Sequence, residues 1–129
     1  MAVALSLISS QVAGDGGRKR IVKTYTVTLS GSYANSGTTG DLIDFQGATN
    51  TNRIERAKFA RNPDQWEVLN QPVGFVMRIQ PGTAFGTWGL RFFQSDDAVD
   101  PLDEIANGAY DSALTADTSL KIRLSGPAL

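Results

Sequence analysis

Residues 20–30 read RIVKTYTVTLS, and the alternation in this stretch decides the fold class. Ile21, Lys23, Tyr25, Val27 and Leu29 fall on one face of an extended chain, and Val22, Thr24, Thr26, Thr28 and Ser30 on the other, because successive strand side chains point to opposite sides. Its β-branched and aromatic residues suit a half-buried pleated strand. The same period of two recurs outward from this stretch. Residues 1–8 (MAVALSLI) set Val3, Leu5 and Leu7 on one face. Residues 73–80 (VGFVMRIQ) turn Val73, Phe75, Met77 and Ile79 inward, and 86–94 (GTWGLRFFQ) do so with Trp88, Leu90 and Phe92. Pro81 and Gly82 between those two segments are a turn signal, which predicts an antiparallel hairpin. Residues 118–125 (TSLKIRLS) place Leu120, Ile122 and Leu124 together, and shorter candidates at 41–45, 53–59 and 65–69 bring the count to about eight strands.

Only residues 100–108 (DPLDEIANG) read as helix, with Asp100 as N-cap, Pro101 at the first helical position, acids in the first turn and Gly108 at the end. This predicts one short helix near 101–107. Many short strands without a βαβ rhythm predict an all-β fold, an antiparallel β-sandwich. Long Gly-, Asn- and Thr-rich connections at 31–40 and 47–52 suit crossing connections, so the expected winding is jelly-roll-like. Residues 1–13 are expected to form an N-terminal strand or arm, hinged at the glycines of 14–17, and residues 14–129 a single sandwich domain.

Composition narrows the chemistry. A chain of 129 residues buries roughly two-thirds of its unfolded surface, enough for one core without metal or disulfide. There is no His and no Cys, which removes the commonest general base, thiol nucleophiles and zinc clusters. We therefore expect no enzyme, no cofactor and no metal. A net charge of −1 offers no overall attraction to nucleic acid or anionic membrane, and no apolar run approaches the roughly 18 residues of a membrane span. The apolar start lacks a basic region and is short, so it reads as a strand and not as a secretory leader.

Charge is nevertheless polarised along the chain. Between Phe92 and Leu120 lie seven acids (Asp96, Asp97, Asp100, Asp103, Glu104, Asp111, Asp117) and no base. This run fails the spacing of a calcium loop, since Pro101 and Leu102 occupy ligand and glycine positions. A carboxylate pair for glycoside hydrolysis has no specific support in such proximity. A solvated loop, or a rim contact with a partner, fits the run better. Bases gather at Arg18, Lys19 and Arg20 with Lys23, and again at Arg53, Arg56, Lys58 and Arg61. Nucleic-acid binding wants aromatics between such bases, and only Phe59 is there. The glycines at 82–86 and 14–17 precede no helix and lack a phosphate-binding lysine, so they read as turns. Tyr25, Phe75, Trp88 and Phe92 are core candidates, while Tyr33, Trp66 and Phe85, beside loop residues, could stack on a sugar ring or a protein surface.

Three stretches carry a resemblance. The start MA-x-x-LSLISSQ, the segment TLSGSYANSGTTGD at 28–41 and the close GAY-x-x-ALTADTSLKIRLS at 108–125 resemble the capsid decoration, or cement, proteins of tailed bacteriophages, small virion proteins several of which are jelly rolls. The resemblance implies a structural protein that binds the major capsid protein on the outer surface of the virion after synthesis in the host cytoplasm. It also implies a homo-oligomer, with a trimer favoured over a dimer, and no direct contact with nucleic acid or membrane. The expected partner-binding residues are then Val3, Leu5 and Leu7 of the arm, Arg18, Lys19, Arg20, Arg53, Arg56 and Lys58, and Asp96, Asp97 and Asp100. The competing expectation is a receptor- or glycan-binding jelly-roll module of a virion fibre or spike, with Tyr33, Trp66 and Phe85 lining a concave site.

Overall fold

In the computed structural model, which describes residues 3–14, 19–35, 39–43, 45, 59–94 and 103–128, the alternating segments form two antiparallel sheets that share one core. β1 (Val3–Ala13) and β2 (Arg20–Leu29) make a long hairpin. The first sheet runs β1-β2-β10-β5, with β5 at Gln65–Asn70 and β10 at Lys121–Pro127. In the second, β7 (Gly89–Gln94) pairs with β6 (Val76–Gln80) on one side and with β4 (Asp41–Leu42) and β8 (Asp103–Glu104) on the other. A small ribbon joins β3 (Ser32–Tyr33) to β9 (Gly108–Ala109). The protein is an all-β sandwich.

Burial follows the predicted faces. Ile21, Lys23, Tyr25, Val27 and Leu29 are all buried on β2, opposite exposed or half-buried threonines. Leu120, Ile122 and Leu124 are fully buried, as are Leu90 and Phe92 on the facing sheet. Each such side chain contributes about 1.5–3 kcal/mol by leaving water. Phe45 centres the aromatic part of the core, meeting Phe59, Phe85 and Trp88 edge-to-face at 5.7, 5.9 and 5.6 Å.

The parity of β1 changes partway along. Leu7 pairs with Tyr25 but Ser9 pairs with Thr24, so Ile8 is an extra, bulged residue. Beyond it Ser10 and Val12 stand opposite Lys23 and Ile21, in the inner row that Val3, Leu5 and Leu7 begin. Ile8 is left 51% exposed.

Two expectations are corrected. The helix lies at Ser112–Thr115 (α1), not near 101–107; the described part of that stretch holds β8, and Gly108 opens β9. Tertiary pairing overrides the local capping signals there, because Glu104 pairs with Phe93 and the Ile105 amide donates to the Phe92 carbonyl at 3.0 Å. The real cap is Asp111, whose carboxylate accepts from the Ala113 amide at 2.8 Å, with Leu114 as the buried anchor. Val73, expected inward, is 89% exposed, because Gly74 at φ +83° turns the chain before β6 begins. The expected strand at 53–59 falls outside the described residues except at Phe59, which makes a single bridge to Ala128.

Where β4 meets β7 the backbones touch. A Cβ on Gly40, at φ +66°, would lie 2.1 Å from the Leu90 carbonyl oxygen. Gly40→Ala is expected to destabilise the protein by about 3 kcal/mol, read as a lowered denaturant midpoint with an unchanged slope.

Candidate interaction surfaces

The most elaborate polar cluster among the described residues is a structural clasp. Asp41, at the start of β4, accepts from the Tyr110 hydroxyl and from the Ala34 amide at 3.1 Å. Glu104, on β8, accepts from the Tyr33 hydroxyl at 2.9 Å and from two nitrogens of Arg91, one at 2.9 Å. The Tyr33 oxygen itself accepts from the Phe92 amide at 3.4 Å. Tyr33, Phe92 and Tyr110 pack edge-to-face around one another, with centroids 5.5–5.8 Å apart. The carboxylates are thus engaged by donors from their neighbours, which ties the β3–β9 ribbon to the second sheet. Burial first, then the adjoining carboxylates, hold both phenols well above the ordinary tyrosine value: Glu104 for Tyr33, Asp41 for Tyr110.

The outer strands differ from one another. Between β5 and β6 the sandwich is open, leaving a groove of about 350 Å³ lined by Trp66, Val68, Met77 and Ile79. Here the Gln71 carboxamide accepts from the Met77 amide at 2.7 Å and donates to its carbonyl at 3.1 Å, standing in for one peptide group of an absent strand. Trp66 is 43% exposed, stacked edge-to-face on Trp88 at 5.3 Å. Its other side meets a hollow of about 290 Å³, lined by Gln65, Glu67, Arg123 and Ser125, in which Glu67 and Arg123 form an ion pair. On the far side of the first sheet, β1 carries no charged residue, and no described residue pairs with its outer edge.

The expected contact residues distribute unevenly over these surfaces. Val3 is buried, and Leu5 and Leu7 pack against the core, so the apolar row of the arm is spent on its own sheet. Its pairing with β2 requires that, since β2 offers its inner row directly opposite. Arg20 makes a forked pair with Asp64, at 3.0 and 2.6 Å, and reaches the Ser125 hydroxyl at 3.3 Å. The guanidinium holds the Asp64 carboxyl below its usual range. Lys19 is exposed, and its carbonyl accepts from the Ala128 amide at 2.9 Å. Lys23 lies in the core, its ammonium 5.8 Å from the centre of the Phe59 ring. Arg18, Arg53, Arg56, Lys58, Asp96, Asp97 and Asp100 lie outside the described residues.

Of the three stacking candidates, only Trp66 is exposed. Tyr33 is buried in the clasp, a correction that follows from its hydroxyl being drawn to Glu104. Phe85 is half-buried against Phe45. The three residues therefore do not line a common site. Leu69 and Val73 are both exposed; Val73 is expected inward from its alternation, and the short candidate strand at 65–69 carries no assigned face. Trp66 and Val68 pair with the buried Leu124 and Ile122, and Leu69 is the residue skipped where the register shifts before Asn70 pairs with Lys121.

Set beside known proteins, the chain matches no protein family, no curated protein and no solved structure.

The clasp makes two predictions. Tyr110→Phe leaves a buried carboxylate oxygen without its donor and is expected to cost about 1–3 kcal/mol in chemical denaturation. Because the phenols ionise less readily in the fold than in the unfolded chain, their contribution is complete below pH about 10 and is lost as pH rises from there toward their folded values. Stability measured against pH should fall on that alkaline limb, and Tyr33→Phe should make the fall shallower.

Proposed function

We propose that this chain is a virion structural protein, a capsid decoration or cement protein of jelly-roll type that binds the outside of an assembled phage head and bridges neighbouring subunits of the major capsid protein. The observation that supports docking is the exposure of three large apolar side chains on β5 and the turn after it: Trp66, Leu69 and Val73 are 43%, 38% and 89% exposed. Large apolar side chains left in solvent over so short a stretch favour a protein interface. The capsid as partner rests on the resemblance carried by the start of the chain and by residues 28–41 and 108–125.

On this reading the mechanism is mass action. A protein that binds only the assembled shell stabilises it by its free energy of binding, repeated at many symmetric sites. On this reading the basic groups at 18–20 and 53–58 and the acidic run at 96–100 steer docking by charge more than they add affinity.

Trp66 supports a second reading. An exposed indole between two hollows that hold Gln65, Glu67, Gln71 and Arg123 has the elements of a sugar-stacking site, as a glycan-binding module of a fibre or spike would.

Co-sedimentation with intact shells of the source virus tests the first reading. Val73→Asp, a change at a fully solvated turn, is expected to weaken shell binding at least about tenfold while the fold is kept, a loss of about 1.4 kcal/mol. No co-sedimentation, together with glycan-array binding that Trp66→Ala abolishes, would overturn it in favour of the second.

A further inference from the structure

We propose that two copies of this chain pair through the outer edges of their β1 strands, antiparallel about a two-fold axis at Ser10, to make one continuous eight-stranded sheet. This inference concerns the protein alone and does not depend on what the assembled dimer docks to.

The edges of the sandwich single out β1. At the opposite side, β6 carries the exposed Arg78, and its Met77 peptide groups are covered by the Gln71 carboxamide. The edge strand β5 carries Glu67, ion-paired to Arg123. Charge and side-chain caps of this kind keep an edge from accepting another strand. β1 has none of them: its eleven residues, VALSLISSQVA, include no charge and no proline, and no described residue covers the edge. An open edge of that length, left without charge, is a template for strand addition.

The side chains argue that the added strand is another β1. With Ser10 on the axis, Ser9 faces the partner's Gln11. The bulged Ile8 stays outside the ladder in both copies, so Leu7 faces the partner's Val12 and Ser6 faces the partner's Ala13. The bulge is what makes this possible, since it returns Val12 to the inner row that Leu7 occupies. Every pair then joins residues of one face: Leu7 to Val12 on the inside, flanking the Ser10 pair at the axis, and small or polar residues on the outside. Val12, half-exposed in a single copy, gains a Leu7 neighbour, and the core of one sandwich continues into the next. The Ser10 hydroxyl, buried with no hydrogen-bond partner among the described residues, meets its own copy across the axis. A two-fold contact of this sort is self-limiting, because each β1 has one free edge to give.

Sedimentation of the purified full chain is expected to give twice the 13.8 kDa protomer mass. The double variant Ser9→Glu/Gln11→Glu sets like charges opposite each other twice and is expected to sediment as a folded monomer. Mixing it with Ser9→Lys/Gln11→Lys should restore a dimer containing one of each. The chain has no cysteine, which allows a direct reading of register: Ser10→Cys should oxidise to a covalent dimer, whereas Ala4→Cys, far from the axis, should not. A monomer or a trimer of the unmodified protein would overturn the proposal. So would cross-linking of Ala4→Cys as fast as Ser10→Cys, a result that still decides the question if the charged variants fail to fold.

Discussion

The first sheet depends on the placement of β10 between β2 and β5. Ile122 pairs with Tyr25 on one side and Val68 on the other, and Leu124 with Lys23 and Trp66. Without this strand β5 has no neighbour in the sheet among the described residues, and the inner row of β2 loses two fully buried side chains beside it, Ile122 and Leu124. The far end of β10 is fastened from both sides: Arg20 and Asp64 reach across at Ser125, and Ala128 joins Lys19 and bridges Phe59. Strands that are distant in sequence must meet before any of this forms, so closure of the sheet is non-local. Folds dominated by such pairings form slowly and cooperatively.

The second sheet uses polar chemistry where the first uses apolar rows. β4 and β8 are two residues each, too short to hold β7 by ladder bonds alone. Asp41 and Glu104, one from each, carry the side chains that bind Tyr110, Tyr33 and Arg91. Two short strands are thereby held by their carboxylates as much as by their backbones. Gly40 and Gly89 permit the close approach this needs, since a Cβ on either would collide with a backbone oxygen at 2.1 Å.

The long strands were legible because each buries one face, which writes a period of two into β2, β6, β7 and β10. Even Lys23 followed its parity inward against its charge, its stem in the core and its ammonium over Phe59. The short elements were not legible. Residues 103–109 carry helix-capping residues, yet β8 and β9 are fixed by partners far along the chain, Phe93 and Ser32 among them. Tyr33 looked like a loop aromatic because nothing local announces Glu104. Most of the contact residues expected from charge runs lie outside the described residues, and a charge run has no period from which to read a neighbour. In β1 the alternation was visible but the bulge at Ile8 was not, and it is the bulge that decides which way Ser10 and Val12 point.

The stack of Trp66 on Trp88 has a consequence for observing the molecule. These are the only two tryptophans in the chain, and they come from opposite layers: one from β5, the other from the residue that leads into β7. Two indoles in edge-to-face contact at 5.3 Å couple their electronic transitions, which produces a paired signal in ultraviolet circular dichroism. That signal exists only while the layers face each other. The protein therefore carries its own optical gauge of the distance between its sheets.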